Sequence, residues 1–179
     1  MPRTDENESS IKTLDLSLVR FLPDDRYALM CDEEELVVLA HQVPGVASVH
    51  GASVRLAAER RSRRLAIVAA NDSGELGWIQ LSWIPGRHRI RIGDSGFRAA
   101  RRLFRGCWNL YGHHARLATI ELNGWFSPEL GLRGRNQIDA GGVVVTEPLI
   151  QGSDVLLAIV LLLEMLASDV PVPAAGPGG

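Results

Sequence analysis

The 179-residue chain holds two cysteines, Cys31 and Cys107, and one lysine, Lys12. Two cysteines are too few to staple a small secreted scaffold. One lysine near the start leaves no G-x-x-x-x-G-K-[ST] phosphate loop, and no G-x-G-x-x-G occurs, so nucleotide chemistry of those kinds is disfavoured. Zinc sites announce themselves by C-x₂₋₄-C or H-x₃₋₅-H pairs. Neither appears around Cys107, His113 and His114 or around Cys31, His41 and His50, so no metal and no cofactor is expected. The opening MPRTDENESS is acidic and polar and has no apolar run for a signal peptide, which makes the cytoplasm the expected compartment. Composition excludes collagen, coiled coil and wholesale disorder, because 46% of residues are hydrophobic, 22% are charged and the mean hydropathy is +0.04.

The charge is uneven. Residues 1–40 carry 4 basic and 10 acidic side chains, residues 41–135 carry 15 and 6, and residues 136–179 carry none and 5. All basic residues but Lys12 are arginine, whose planar fork suits carboxylate and phosphate better than an ammonium does. A basic centre between acidic ends either meets phosphates on a partner or is neutralised inside the fold. The run Asp32-Glu33-Glu34-Glu35 lacks the glycine turn and spaced ligands of a calcium loop and reads as a solvated face.

Residues 1–10 and 169–179, the second rich in proline and glycine, have nothing to bury and read as disordered tails around one domain over 11–168. Within it, turn formers such as Pro44-Gly45, Asn71-Asp72-Ser73-Gly74, Pro85-Gly86 and Gly93-Asp94-Ser95-Gly96 punctuate short apolar stretches. Ile79 and Leu81 alternate with Trp78, Gln80 and Ser82, and His88-Arg89-Ile90-Arg91-Ile92 alternates strictly, as half-buried antiparallel strands do. Leu76, Ile79 and Leu81 recur with the same mutual spacing as Leu117, Ile120 and Leu122, each set followed by a tryptophan, which suggests two equivalent hairpin units of one sheet or barrel. Segment 97–105 fits either a basic amphipathic helix or a strand, with the strand favoured.

Val155–Ala167 is apolar at every position but Glu164, behind Ser153 and Asp154 as capping residues. Thirteen helical residues reach only about 20 Å, short of a hydrocarbon core of about 30 Å. No transmembrane segment is expected. A helix without a polar face must be surrounded, and a strand-rich chain can do this by wrapping its sheet. The expected fold is therefore mainly β with α, a closed antiparallel β-barrel surrounding a hydrophobic C-terminal helix at about residues 154–168. Glu164 then belongs at the rim or beside an arginine.

The hairpin patterns Gly74-Glu75-Leu76-x-x-Ile79 and Ala115-Arg116-Leu117-x-x-Ile120, together with the run Ser153–Glu164, resemble the tubby-like superfamily, specifically its LURP-one-related and phospholipid-scramblase-like members. The resemblance covers about residues 50–168 and implies a closed barrel threaded by the helix. It also implies a link to lipid: phosphoinositide binding in the tubby proteins, lipid scrambling in the scramblases, and no settled activity in the LURP-one-related members. The chain lacks the scramblases' cysteine-rich segment and proline-rich N-terminal extension, and the lysines of the tubby phosphate pocket. What carries over is mainly fold.

For function, Gly93-Asp94-Ser95-Gly96 has the look of a serine-nucleophile loop, but His41 lies too near it in the chain for a barrel to intervene, and no histidine–carboxylate pair accompanies it. The chain is therefore not expected to be an enzyme. Arginines cluster at 60–64, 87–91 and 98–105, and the expected ligand set is Arg87, Arg89, Arg91, Arg101, Arg102 and Arg105, meeting an anionic phosphate. The leading reading is a non-enzymatic lipid-binding or adaptor module, cytoplasmic and peripheral at the membrane, on anionic phospholipid head groups. Two others use the same chain: a nucleic-acid-binding protein, favoured if 97–105 is a projecting helix and the tryptophans are exposed, and a structural subunit of a larger assembly.

Overall fold

The computed structural model describes residues 13–21, 26–40, 45–82, 84, 86–102, 107–113, 115–122, 132–134, 137–146 and 153–167. The expected tails at 1–10 and 169–179 lie outside these residues, as do Trp83 and Trp125. The strands are β1 (Thr13–Phe21), β2 (Arg26–Cys31), β3 (Glu34–Ala40), β4 (Val46–Val49), β5 (Ala52–Arg61), β6 (Arg64–Asn71), β7 (Gly74–Leu81), β8 (Arg87–Ile92), β9 (Ser95–Arg101), β10 (Cys107–Tyr111), β11 (Arg116–Leu122), β12 (Leu132–Gly134) and β13 (Gln137–Thr146), followed by helix α1 (Ser153–Ala167).

Neighbouring strands pair antiparallel from β1 through β11, β11 pairs with β13, and β13 pairs back onto β1. The sheet is thus a closed ring of twelve strands, and β12 is attached only to the start of β13. Closure leaves the ring without an open edge to template pairing with another chain. Strand alternation sets two faces: in β8, His88, Ile90 and Ile92 point inward and are buried, while Arg87, Arg89 and Arg91 point outward and are exposed.

Helix α1 fills the ring. Val155 to Leu163 and Met165 are buried, Asp154, Glu164 and Leu166 are half-buried, and the helix packs against β3, β4, β6, β7, β8 and β9. Asp154 fixes its start at the hairpin end of the barrel, where Ser95 Oγ donates to Asp154 Oδ2 at 3.2 Å. The expected barrel around an apolar C-terminal helix is what the chain forms, and the helix bounds differ only marginally from the expected 154–168.

The repeat read at Leu76 and Leu117 marks a structural device. On β7, Ala69 opposes Gly77 and Ala70 opposes Glu75, so Leu76 is the extra residue of a β-bulge; on β11, Leu110 opposes Ala118 and Tyr111 opposes Arg116, which makes Leu117 its equivalent. A third copy precedes both. On β3, Leu29 opposes Val37 and Met30 opposes Glu35, leaving Leu36 as the bulged residue. The barrel is therefore three four-strand units: β2–β5, β6–β9, and β10, β11 and β13 with β1. Gly45 and Gly86, at matching places in the first two units, repeat a second feature. Both have positive φ, +87° and +73°, and their carbonyls accept from Leu56 N–H at 2.5 Å and Arg101 N–H at 2.7 Å.

Segment 97–105 is strand, not helix, as far as it is described: β9 runs to Arg101, Arg102 follows outside it, and β10 begins at Cys107.

The packing sets two expectations for stability. Leu162→Ala, at a position fully enclosed by the barrel, is expected to cost about 2–5 kcal/mol in urea denaturation. Gly45→Ala puts a Cβ 1.9 Å from the Leu56 carbonyl oxygen, whereas Gly51→Ala, also at positive φ, meets no atom within 4 Å. Gly51→Ala should cost only its backbone strain, about 1 kcal/mol, and Gly45→Ala at least about 2 kcal/mol more by the same measurement.

Candidate functional site

The outer face of β7 to β10 is built by register. Gln80 of β7 opposes Arg89 of β8, Arg89 opposes Arg98 of β9, and Arg98 opposes Tyr111 of β10; one step along, Trp78 opposes Arg91. Arg89 and Arg98 are thus directly opposed like charges, an arrangement that destabilises a sheet unless something neutralises it. No ion pair joins Arg87, Arg89 or Arg98 to a carboxylate of the described residues. The Arg98 guanidinium lies over the Tyr111 ring at 5.3 Å, and Arg91 donates from Nε to the Gly93 carbonyl at 3.2 Å and has the exposed Asp94 at 3.9 Å. Arg87, Arg89, Arg91 and Arg98 accordingly form one exposed basic patch.

The expected ligand set divides in the structure. Arg87, Arg89 and Arg91 come together on this face. Arg101 does not join them, because it opposes the buried Trp108 and so has the inward parity of its strand, exposed only where β9 ends. Arg102 is exposed beyond the strand, its N–H donating to the Cys107 carbonyl at 2.9 Å. Arg105 lies outside the described residues. Arg98, left out of the expected set, takes the central place. Its signal was in the sequence: Arg89 and Arg98 are equidistant from the turn at Gly93-Asp94, so a two-residue hairpin must oppose them.

The cluster at 60–64 does not extend the patch as one block. Arg60 opposes Leu65 on the inward parity, and Arg63 sits in the β5–β6 turn at φ +66°. Arg61 points outward but is held by Glu75 and Glu59. Its Nη1 donates to Glu75 Oε1 at 3.0 Å, and its guanidinium lies 5.9 Å from the Trp78 ring. Hydrogen bonding to Glu75, then to Glu59, raises the Arg61 pKa, and the same bond from Arg61 lowers that of Glu75. Among the described residues, Arg61 of β5 is therefore neutralised, whereas the arginines of β8 and β9 have no carboxylate partner but Asp94 beside Arg91.

No family model, no curated protein and no solved structure matches the chain.

Besides a cavity of about 180 Å³ lined by residues that include Glu75, Trp78 and Arg91, two others border this region. One, of about 220 Å³, lies on the outer face and is lined by Arg64, Gln80, Leu81, Ser82, Ile84 and Arg89. The other, of about 350 Å³, opens at the barrel mouth beside the start of α1, between Val49, Val54, Leu76, Ile92 and Leu157. Its two carboxylates are already engaged, Asp154 with Ser95 and Glu75 with Arg61. Among the described residues no group of three or more His, Cys, Asp or Glu side chains is placed to hold a metal ion. No helix among them is long and apolar enough to cross a membrane. The acidic run is exposed as expected, with Glu35 paired to Arg26 at 3.1 Å.

Beneath the patch, on the inward side of the same strand, His88 is 8% exposed and stacks on Trp108 with ring centroids 5.3 Å apart. Its Nδ1 has no hydrogen-bond partner among the described residues, and burial pushes its pKa from 6.5 down to about 4. Between those two values the unfolded chain binds the proton and the folded one does not, so stability is full above about pH 6.5 and falls as pH drops toward 4. The total loss from this group is about 3 kcal/mol. His88→Phe, which keeps a ring against Trp108 and removes the titrating nitrogen, is expected to flatten that part of the stability profile in denaturation between pH 7 and pH 4.

Proposed function

We propose that the protein is a non-enzymatic, tubby-like barrel module whose arginine face docks peripherally on anionic phospholipid head groups. The observation that carries this reading is the direct opposition of Arg89 and Arg98, flanked by Arg87 and Arg91, with no balancing carboxylate but Asp94 among the described residues. A sheet that keeps like charges face to face gives up stability in the free state and regains it when an anion arrives. The closed ring around an apolar helix is the architecture that the tubby-like resemblance implies, and it supports a lipid-directed role.

Two features favour lipid over single-stranded nucleic acid. The segment after Ser95 is a strand of the barrel wall, not a projecting basic helix. Of the tryptophans in the described residues, Trp108 is buried in the core and Trp78 is half-buried with the Arg61 guanidinium 5.9 Å from its ring, which disfavours stacking of successive bases.

The test is cosedimentation of the purified full chain with phosphatidylcholine vesicles, with and without phosphatidylserine, in the presence of single-stranded oligonucleotide as competitor. Binding to the anionic vesicles alone is expected, surviving the competitor and weakening between 50 and 200 mM salt, values set in the assay within roughly the range where screening acts. Each basic residue near an anionic surface contributes about 1 kcal/mol, so changing Arg87, Arg89 and Arg91 together to Ala should weaken binding on the order of 100-fold. Equal binding to neutral vesicles, or none to either, refutes the reading.

A further inference from the structure

The transverse row that holds Arg89 and Arg98 continues around the wall to the first residue of β1. Leu14 opposes Val145, Val145 opposes Ala118, Ala118 opposes Leu110, Leu110 opposes Ala99, and Ala99 opposes His88. One residue further along these strands, the outer row has Thr13 on β1, Arg116 on β11, Tyr111 on β10, Arg98 on β9 and Arg89 on β8. Thr13 and the three arginines are exposed, and none of these arginines has a carboxylate partner among the described residues. The next outer row has one carboxylate, Asp15, at its β1 end. Thr13 also points to the right end of the barrel: β1 begins toward the end that carries the Gly93-Asp94 turn, where Ser95 holds Asp154 at the start of α1. The helix then carries the chain about 20 Å toward the opposite end before residue 168. Before Thr13 come Asp5, Glu6 and Glu8, in a stretch outside the described residues. Neighbouring strands are about 4.8 Å apart, so along the wall Arg98 is about 19 Å from Thr13 and Arg89 about 24 Å. An extended chain covers at most about 3.5 Å per residue, so the five residues back to Glu8 span about 17 Å and the eight back to Asp5 about 28 Å.

We infer that Asp5, Glu6 and Glu8 lie across Arg116, Arg98 and Arg89 as an intramolecular counter-charge, an autoinhibitory contact that an external anion has to displace. The opposed arginines lack a carboxylate, the row leading to them from β1 is free of acids, and the acidic stretch has the length to follow that row. Lys12 adjoins Thr13 in the chain, so it is tied to the β1 end of the row and leaves the arginine end to the acids. Single exposed ion pairs are weak. Tethering compensates, because a short linker holds the acids at an effective concentration on the order of 1 mM, and their arrival relieves the repulsion between Arg89 and Arg98. A segment that covers the arginines about nine-tenths of the time lowers the apparent affinity for an external anion about tenfold. The regulatory sense of the inference rests on the membrane-docking reading above; the intramolecular contact itself does not.

Two full-length variants are compared with the natural chain. One combines Asp5→Asn, Glu6→Gln and Glu8→Gln; the other makes an equal charge change elsewhere, Asp32→Asn, Glu33→Gln and Glu34→Gln, in the exposed run at the β2–β3 turn. The contact is read without lipid, from the Nε–Hε NMR signals of Arg89, Arg98 and Arg116 at low salt. Autoinhibition is read from cosedimentation with phosphatidylcholine vesicles that contain phosphatidylserine. The first variant is expected to move the arginine signals and to strengthen vesicle binding about tenfold. The second should leave the signals in place and strengthen binding by no more than about twofold through net charge. Added salt should erase the difference in signals between the natural chain and the first variant. Signals that move in the first variant, with no vesicle binding by any form, support the intramolecular contact and refute membrane docking. Unmoved signals with unchanged vesicle binding overturn the contact and leave the docking reading standing. Equal strengthening by both variants overturns the autoinhibition, and signals that depend on protein concentration assign the acids to a second copy and overturn the intramolecular form. Thermal melts matching the natural chain establish that both variants are folded.

Discussion

Helix α1 has no polar face, and that constraint reaches every other part of the molecule. Water must be kept from the whole circumference of Val155–Leu163, and a layer packed on one side leaves the other side wet. A closed ring of strands excludes water all round, and in closing it satisfies the backbone groups that an open sheet leaves at its edges. The strands in turn have their inward faces filled by the helix, so the helix and the ring stabilise each other's otherwise exposed apolar surface. Neither has an obvious stable form alone. The half-buried Asp154 in the first turn and Glu164 in the last are where the helix is no longer enclosed all round, although Met165 beyond Glu164 is still buried.

Wrapping twelve strands around one helix demands curvature, and the bulges at Leu36, Leu76 and Leu117 recur on the second strand of each four-strand unit. A bulge places two residues against one on the partner strand, increases local twist and changes which residues share a face. This is why Leu36 and Val37, neighbours in sequence, are both buried. It also explains why the alternation between Leu76 and Ile79 is out of phase by one: the extra residue at the bulge shifts the parity. Curvature, internal repetition and the broken alternation are one feature seen at three scales.

Much of this was legible in the sequence, because the signals are local. The helix could be read from composition alone, and the inward and outward parity of β8 from five consecutive residues. Two of the three repeats were legible because both carry an apolar residue five positions after the bulged leucine, Leu81 and Leu122. The third was missed because His41 stands there instead. The candidate site was less legible for a physical reason. Whether arginines share a surface depends on parity and on cross-strand partners, not on nearness in the chain. Arg101 and Arg102 are close to Arg98 in sequence, but one has the inward parity and the other has left the strand, while Arg89 and Arg98 meet across a hairpin. The neutralisation of Arg61 by Glu75, on a strand beyond the next, was likewise invisible until β5, β6 and β7 were aligned.

The division of charge over the barrel gives the outer wall a direction. Over β5 to β7 the outward guanidinium beside Trp78 is committed to two carboxylates, and its aliphatic stem and ring contact close that part of the surface. Over β8 and β9 the same residue type is left opposed to itself. The helix that holds the barrel from inside also holds β8 rigid, since Ile90 and Ile92 are anchored in the core that α1 completes. The outward arginines of β8 are therefore presented at fixed spacing by a strand that cannot move away from the repulsion. In a flexible segment the like charges would separate and the repulsion would dissipate; on this wall the register of β8 and β9 keeps Arg89 and Arg98 opposed. The internal constraint and the external basic face are thus coupled through a single strand, whose even-numbered residues belong to the core and whose odd-numbered residues face solvent.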